Sequence, residues 1–255
     1  MYAKTLKPLL FLVVVMAMVS LACLGSSETP APAQPQPAPQ QPQQPEPVQP
    51  EPTMPPPPTD PPAPAAQEFF TEEFDGDISN WKQTVELNAT DGNISQANIS
   101  VEDGYLVFDF GKWLIGYVFY EPFEYSNVRI DVRVDNRGTN VNNVLLVCRK
   151  SDEGHYLVNI ANSGLFAIYA FNAPKDNYHR IADGGSTKIK PGKEINEYTL
   201  VCNDKTLIIY INGHETRSYT DNQYVFRDGL VGVGVASEDQ LPVKLEFDWV
   251  KISPP

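Results

Sequence analysis

The stretch Val128-Arg129-Ile130-Asp131-Val132-Arg133-Val134 alternates strictly between β-branched apolar and charged residues. Successive side chains of a strand point to opposite faces, so 128, 130, 132 and 134 share one face and Arg129, Asp131 and Arg133 the other. One face is core and one is wet. The same style of short apolar run recurs at Tyr105–Phe110, Leu114–Tyr120, Val144–Arg149, Tyr156–Ile160, Leu165–Phe171, Glu197–Val201, Thr206–Ile211, Leu230–Ala236 and Val243–Ile252. No window from Phe69 onward supports a long amphipathic helix. Turn signals separate the runs: Asp103-Gly104, Asn136-Arg137-Gly138, Asn162-Ser163-Gly164, Asp183-Gly184-Gly185, Asn203-Asp204, Asn212-Gly213 and Asp228-Gly229. Many short, regularly punctuated strands predict an all-β antiparallel sandwich or barrel. The run Leu165–Phe171 is apolar on both faces, which predicts a strand inside a sheet, one face in the core and the other in a concavity.

Outward from these runs the composition changes sharply. Of 24 prolines, 17 lie between Pro30 and Pro64, and proline sustains neither a helix nor an inner strand. The folded domain is therefore expected over 67–255, large enough to bury a core without a cofactor. The 19 Lys and Arg against 32 Asp and Glu give a formal charge of −13, a field that repels phosphate backbones, so no nucleic-acid partner is expected.

Residues 1–22 carry Lys4 and Lys7, then the uncharged run Leu9–Val19, then small residues before Cys23. That is a secretory leader, too short to span a bilayer with comfort. Ser20-Leu21-Ala22-Cys23 resembles the lipobox of bacterial lipoproteins, which implies lipidation of Cys23 and an exported protein at the cell surface or in the periplasm, touching the membrane through its lipid alone. Ser20-x-Ala22 also satisfies ordinary signal peptidase, and both readings cut the same bond. Residues 23–66, rich in Pro, Ala, Gln and Glu, are read as a disordered tether favouring polyproline II, reaching on the order of 100 Å if extended.

Within the domain, Val144–Arg149, Gly154–Ile160 and Gly164–Tyr169 in succession resemble the middle of concanavalin A-like jelly rolls, a group that includes laminin G-like and 3-keto-disaccharide hydrolase-like domains. Thr206–Gly213 is similar to their "YVNG" hairpin, Gly229–Gly234 to their "GxVGL" strand, Leu245–Ile252 to their final strand, and Glu73-Phe74-Asp75 to their first. The resemblance covers nearly all of 69–252 and implies a two-sheet antiparallel jelly roll, a fold that hosts lectins, glycosidases and plain interaction modules.

A glycosidase would need two positioned carboxyls. Glu246-x-Asp248 resembles the start of the Glu-x-Asp-x-x-Glu signature of laminarinase-like enzymes, but Trp249, Val250 and Lys251 follow, so the pair reads as part of a terminal strand that pairs with the first. His155, His179 and His214 show no zinc spacing. Asp75-Gly76-Asp77 is a solvated turn that calcium would also suit. Cys148 and Cys202 each end an apolar run, and a disulfide or two buried thiols fit equally.

The aromatics Trp113, Tyr117, Tyr156, Tyr169, Phe171, Tyr178 and Tyr210 supply the remaining functional signal, because a solvent-facing ring beside Arg or Asn makes a carbohydrate platform. By strand parity Arg149 lies opposite Leu146 and Cys148, and joins His155, Asn159, Tyr169 and Phe171 as expected ligand-binding residues on the concave face. The expected function is a non-catalytic, surface-displayed module for carbohydrate or cell-wall glycan. A glycoside-acting hydrolase or lyase, and a protein-interaction or structural role, stay open at this point.

Overall fold

The computed structural model describes residues 66–255. The leader, Cys23 and nearly all of the expected tether lie outside the described residues. The described residues form fifteen strands: β1 (Phe70–Glu72), β2 (Trp81–Leu87), β3 (Ala97–Glu102), β4 (Tyr105–Phe110), β5 (Leu114–Tyr120), β6 (Val128–Asn136), β7 (Asn142–Lys150), β8 (Gly154–Ala161), β9 (Leu165–Asn172), β10 (Asn177–Gly185), β11 (Ile195–Asn203), β12 (Thr206–Ile211), β13 (His214–Thr220), β14 (Leu230–Ser237) and β15 (Val243–Ser253). An eight-stranded sheet runs β13-β12-β11-β6-β15-β4-β3 with β1 added on β15, and a seven-stranded sheet runs β10-β9-β8-β7-β14-β5-β2. Every pairing is antiparallel. The result is an antiparallel two-sheet sandwich, as the alternating runs predict, in the jelly-roll form that the family resemblance implies.

The core lies between the sheets and is built by the parity of the strands. Val128, Ile130, Val132 and Val134 of β6 point inward from one sheet, and Val144, Leu146 and Cys148 of β7 from the other. Cys148 and Cys202 join in a fully buried disulfide that ties β7 to β11, and therefore sheet to sheet. It closes a loop of 54 residues, a constraint on the unfolded chain worth about 4 kcal/mol. The hairpin between β12 and β13 turns on Asn212-Gly213, both with positive φ (49° and 77°), the pair that the twist of a two-residue hairpin favours.

The terminal strand pairs with the first, as expected: Phe70, Thr71 and Glu72 oppose Ile252, Lys251 and Val250. That first strand lies three residues upstream of the position the family resemblance implied, and Phe74 instead has a φ of 56° and is buried. Asp183-Gly184-Gly185, expected as a turn, is the end of β10 and pairs with Ala167, Phe166 and Leu165. Gly184 is needed there because the Phe166 ring occupies the space a Cβ would take, 2.7 Å away.

Candidate binding cleft

The seven-stranded sheet carries apolar side chains on both faces. Across its outer face one row runs Thr84, Tyr117, Gly234, Leu145, Asn159, Ala167 and Asp183, each paired with the next. The adjacent row runs Lys82, Phe119, Gly232, Val147, Leu157, Tyr169 and Arg180. A second apolar cluster forms here, away from the main core, around Tyr117, Phe119, Leu145, Val147 and Leu157. The glycines of β14 make it possible. A Cβ on Gly232 would stand 2.4 Å from the Phe119 ring and one on Gly234 2.8 Å from the Tyr117 ring, so both rings lie down over β14.

From the other edge Tyr178 of β10 lies over Phe171, with ring centroids 4.6 Å apart, and its hydroxyl reaches to 3.5 Å from His155 Nε2 on β8. Tyr178 and Tyr117 therefore meet over the middle of the sheet, where burial, and then the neighbouring Tyr178, raise the Tyr117 phenol well above its ordinary pKa. This closes half of the face. Lys150 seals it further, its ammonium 4.9 Å from the Phe119 ring centroid. His155 is 8% exposed, and burial, with Lys150 adding to it, pushes its pKa down to about 4.

The other half is open. A cavity of about 300 Å³ is lined by Ile115, Tyr117, Leu157, Tyr169, Tyr178 and Asn88 among others. A second, about 450 Å³, is lined by Ala161, Leu165, Ala167, Arg180 and Asp183. Asn143, Asn159, Tyr169 and Glu238 line both, so the two form one cleft with a shared floor. Asn143 donates to Glu238 Oε1 at 3.4 Å. Among the described residues neither the Asn159 amide nor the Tyr169 hydroxyl has a side-chain hydrogen-bond partner, which leaves both free to meet a ligand. Two of the exposed large apolar side chains, Leu165 and Tyr178, stand on the same cleft.

Of the expected site residues, Asn159 and Tyr169 line the cleft, while His155 and Phe171 lie on the same face beneath Tyr178, in its closed half. Arg149 does not join them. A bulge sets Cys148 and Arg149 against the single residue Val231, and Arg149 adopts a φ of 58°. Parity slips by one, so Lys150 takes the outer face and Arg149 turns inward. Its guanidinium donates to Ser126 O (2.9 and 2.6 Å) and Phe226 O (2.9 Å), and it is 2% exposed. Burial lowers its pKa, and it acts as a clamp on two loops. The aromatic set also divides. Tyr156 is core, donating to Asp221 Oδ2 at 2.5 Å, and Tyr210 belongs to the other sheet, under Arg129. Asn143, Glu238, Arg180 and Asp183 were not singled out from the sequence, because they reach the cleft from the ends of separate strands and from an edge.

Glu246 and Asp248 lie on the outer face of the eight-stranded sheet, where Arg137 holds Glu246 at 2.8 Å and Arg133 holds Asp248 at 3.0 Å. A larger groove on this side, about 670 Å³, is lined by Arg133, Asp135, Arg137, Lys190, Glu194 and Glu197 among others, with no aromatic. Its arginines are each shared between two carboxylates. Asp77 accepts from Ser79 N at 2.9 Å, and no group of three or more His, Cys, Asp or Glu that could hold a metal occurs among the described residues.

No family model matches the chain, and no curated protein matches it. Solved structures are similar in fold. A β-1,3-glucanase from Mycobacterium marinum superposes with a TM-score of 0.54 at 12% identity, covering 72% of this chain and 97% of that one. The GH16 protein of the Bacteroides ovatus mixed linkage glucan PUL, in complex with a G4G4G3G product, gives 0.52 at 12% identity over 72% and 99%. A Bacillus subtilis protein with a galectin-like fold gives 0.56 at 9% identity over 72% and 94%. The domain therefore has the concanavalin A-like jelly-roll fold of glucanases and galectin-like proteins.

Proposed function

We propose that the chain is an exported, lipid-anchored module that binds carbohydrate in the outer-face cleft without cleaving it. One observation carries the reading: the cleft is floored by an open aromatic ring and the free Asn159 amide, β5, β14, β7, β8 and β9 beneath it contain no Asp or Glu, and of the two carboxylates that line it Asp183, on the edge strand β10, is paired with Arg180. A glycosidase needs two carboxyls placed as acid and as nucleophile or base over the scissile bond, and Glu238 is the one lining carboxylate without a cationic partner among the described residues. Tyr169 offers a face to the CH side of a pyranose, and Asn159 and Asn143 offer donors and acceptors to its hydroxyls. The solved glucanases of the same fold are consistent with a sugar as the ligand class.

Calorimetric titration of the protein against gluco-oligosaccharides, with and without calcium and followed by chromatography of the mixtures, tests this. Saturable binding with no shortened product is expected; shortened products would make it an enzyme. The anchor is tested separately: a palmitate analogue should label the wild type and not Cys23→Ser, and equal release of both into the medium would mean plain secretion.

A further inference from the structure

Resting on the cleft reading above, we infer that the ligand is an amine-bearing saccharide whose ammonium group sits against Glu238. The charged side chains lining the two cavities are Arg180, Asp183 and Glu238. Arg180 Nε lies 3.3 Å from Asp183 Oδ2, so those two charges offset each other at the rim. Glu238 is left over. It is half-buried, lines both cavities, and has no Lys or Arg within ion-pair distance among the described residues. Its side chain meets only the neutral Asn143 amide, at 3.4 Å.

Lys150, on the same face, stands at the far end of β14 from Glu238 and is committed to the Phe119 ring in the closed half. Glu238 therefore puts an unpaired negative charge on the cleft, and Glu86 of β2 stands near enough to Tyr117 and Tyr178 to act on both. The aromatic lining favours the same ligand, since the faces of Tyr117, Tyr169 and Tyr178 attract a cation as well as a CH face. The chain's charge of −13 adds a field of the same sign. Uronates and sulfated sugars meet repulsion from each of these. An amino sugar meets attraction, its ring on Tyr169 and its ammonium forming a charge-assisted hydrogen bond to Glu238.

The test is calorimetric titration of the intact protein, at low salt and about pH 6 so that the amine is protonated, with the tetramers of glucosamine, N-acetylglucosamine and β-1,4-linked glucose, and with tetralysine. The glucosamine tetramer should bind about 10-fold tighter than each of the other three. Glu238→Gln should bring the three sugars to within about twofold of one another. Glu73→Gln, which removes the same charge at an exposed position after β1 in the other sheet, should leave the preference intact. Equal binding of charged and neutral tetramers, or a preference that survives Glu238→Gln, overturns the inference while the carbohydrate reading stands. Tetralysine binding as tightly as the glucosamine tetramer reduces the effect to bulk charge and also overturns it. Binding of none of the sugars overturns both.

Discussion

Tyr169 and Tyr178, on neighbouring strands, meet edge to face with ring centroids 6.2 Å apart, and both line the apolar cavity of the cleft. Tyr178 leans back over Phe171 and His155, which leaves Tyr169 as the ring that the floor of both cavities shares.

Tyr169→Ala should therefore weaken sugar binding by about 1–2 kcal/mol, roughly a 5- to 30-fold rise in Kd. Its side chain is only partly buried and belongs to neither the inter-sheet core nor the disulfide, so cooperative unfolding should persist. Calorimetry beside urea denaturation checks both halves. Loss of folding would place Tyr169 among the structural residues, and unchanged affinity would remove it from the site.

Where a strand is core on one face, its period was visible in the residues alone. The bounds of β4, β5 and β12 match the apolar runs 105–110, 114–120 and 206–211. Of the strands absent from those runs, β2, β3, β10 and β13 are the edges of their sheets, and β1 is a three-residue addition on β15. An edge strand such as β13, His-Glu-Thr-Arg-Ser-Tyr-Thr, has no buried residue and so no hydrophobic period to read. Asn159 and Tyr169 were legible as cleft residues because β8 and β9 keep strict alternation. Arg149 was not, since one bulge reverses parity without any mark in composition. Glu238 and Asn143 come together across 95 residues of sequence, a proximity that only the pairing of β7 with β14 creates.

The reassignment of Arg149 has its own consequence. Arg149→Ala leaves the carbonyls of Ser126 and Phe226 without their buried donors, a cost of about 3 kcal/mol. Urea denaturation should show that loss, while affinity per folded molecule stays at the wild-type value. A variant with unchanged stability and weakened sugar binding would return Arg149 to the cleft.

His155 makes stability depend on pH. Its folded pKa is depressed to about 4, so between about 6.5 and 4 the unfolded chain binds a proton that the folded protein does not. Stability from this group is thus full above about pH 6.5 and falls as pH drops, by about 3 kcal/mol in all. Urea midpoints measured across that window should fall for the wild type and fall less for His155→Gln. Parallel slopes for the two proteins would assign the effect elsewhere.

The most direct measurement is an amide shift titration of the ¹⁵N-labelled protein with a sugar that binds by calorimetry. Saturable shifts should concentrate on β7, β8 and β9 around Asn143, Asn159 and Tyr169, and the sugar should be recovered intact. Shifts confined to the charged groove around Arg133, Arg137 and Glu197 on the other sheet, or a sugar recovered in shortened form, would contradict a non-catalytic cleft on the seven-stranded sheet.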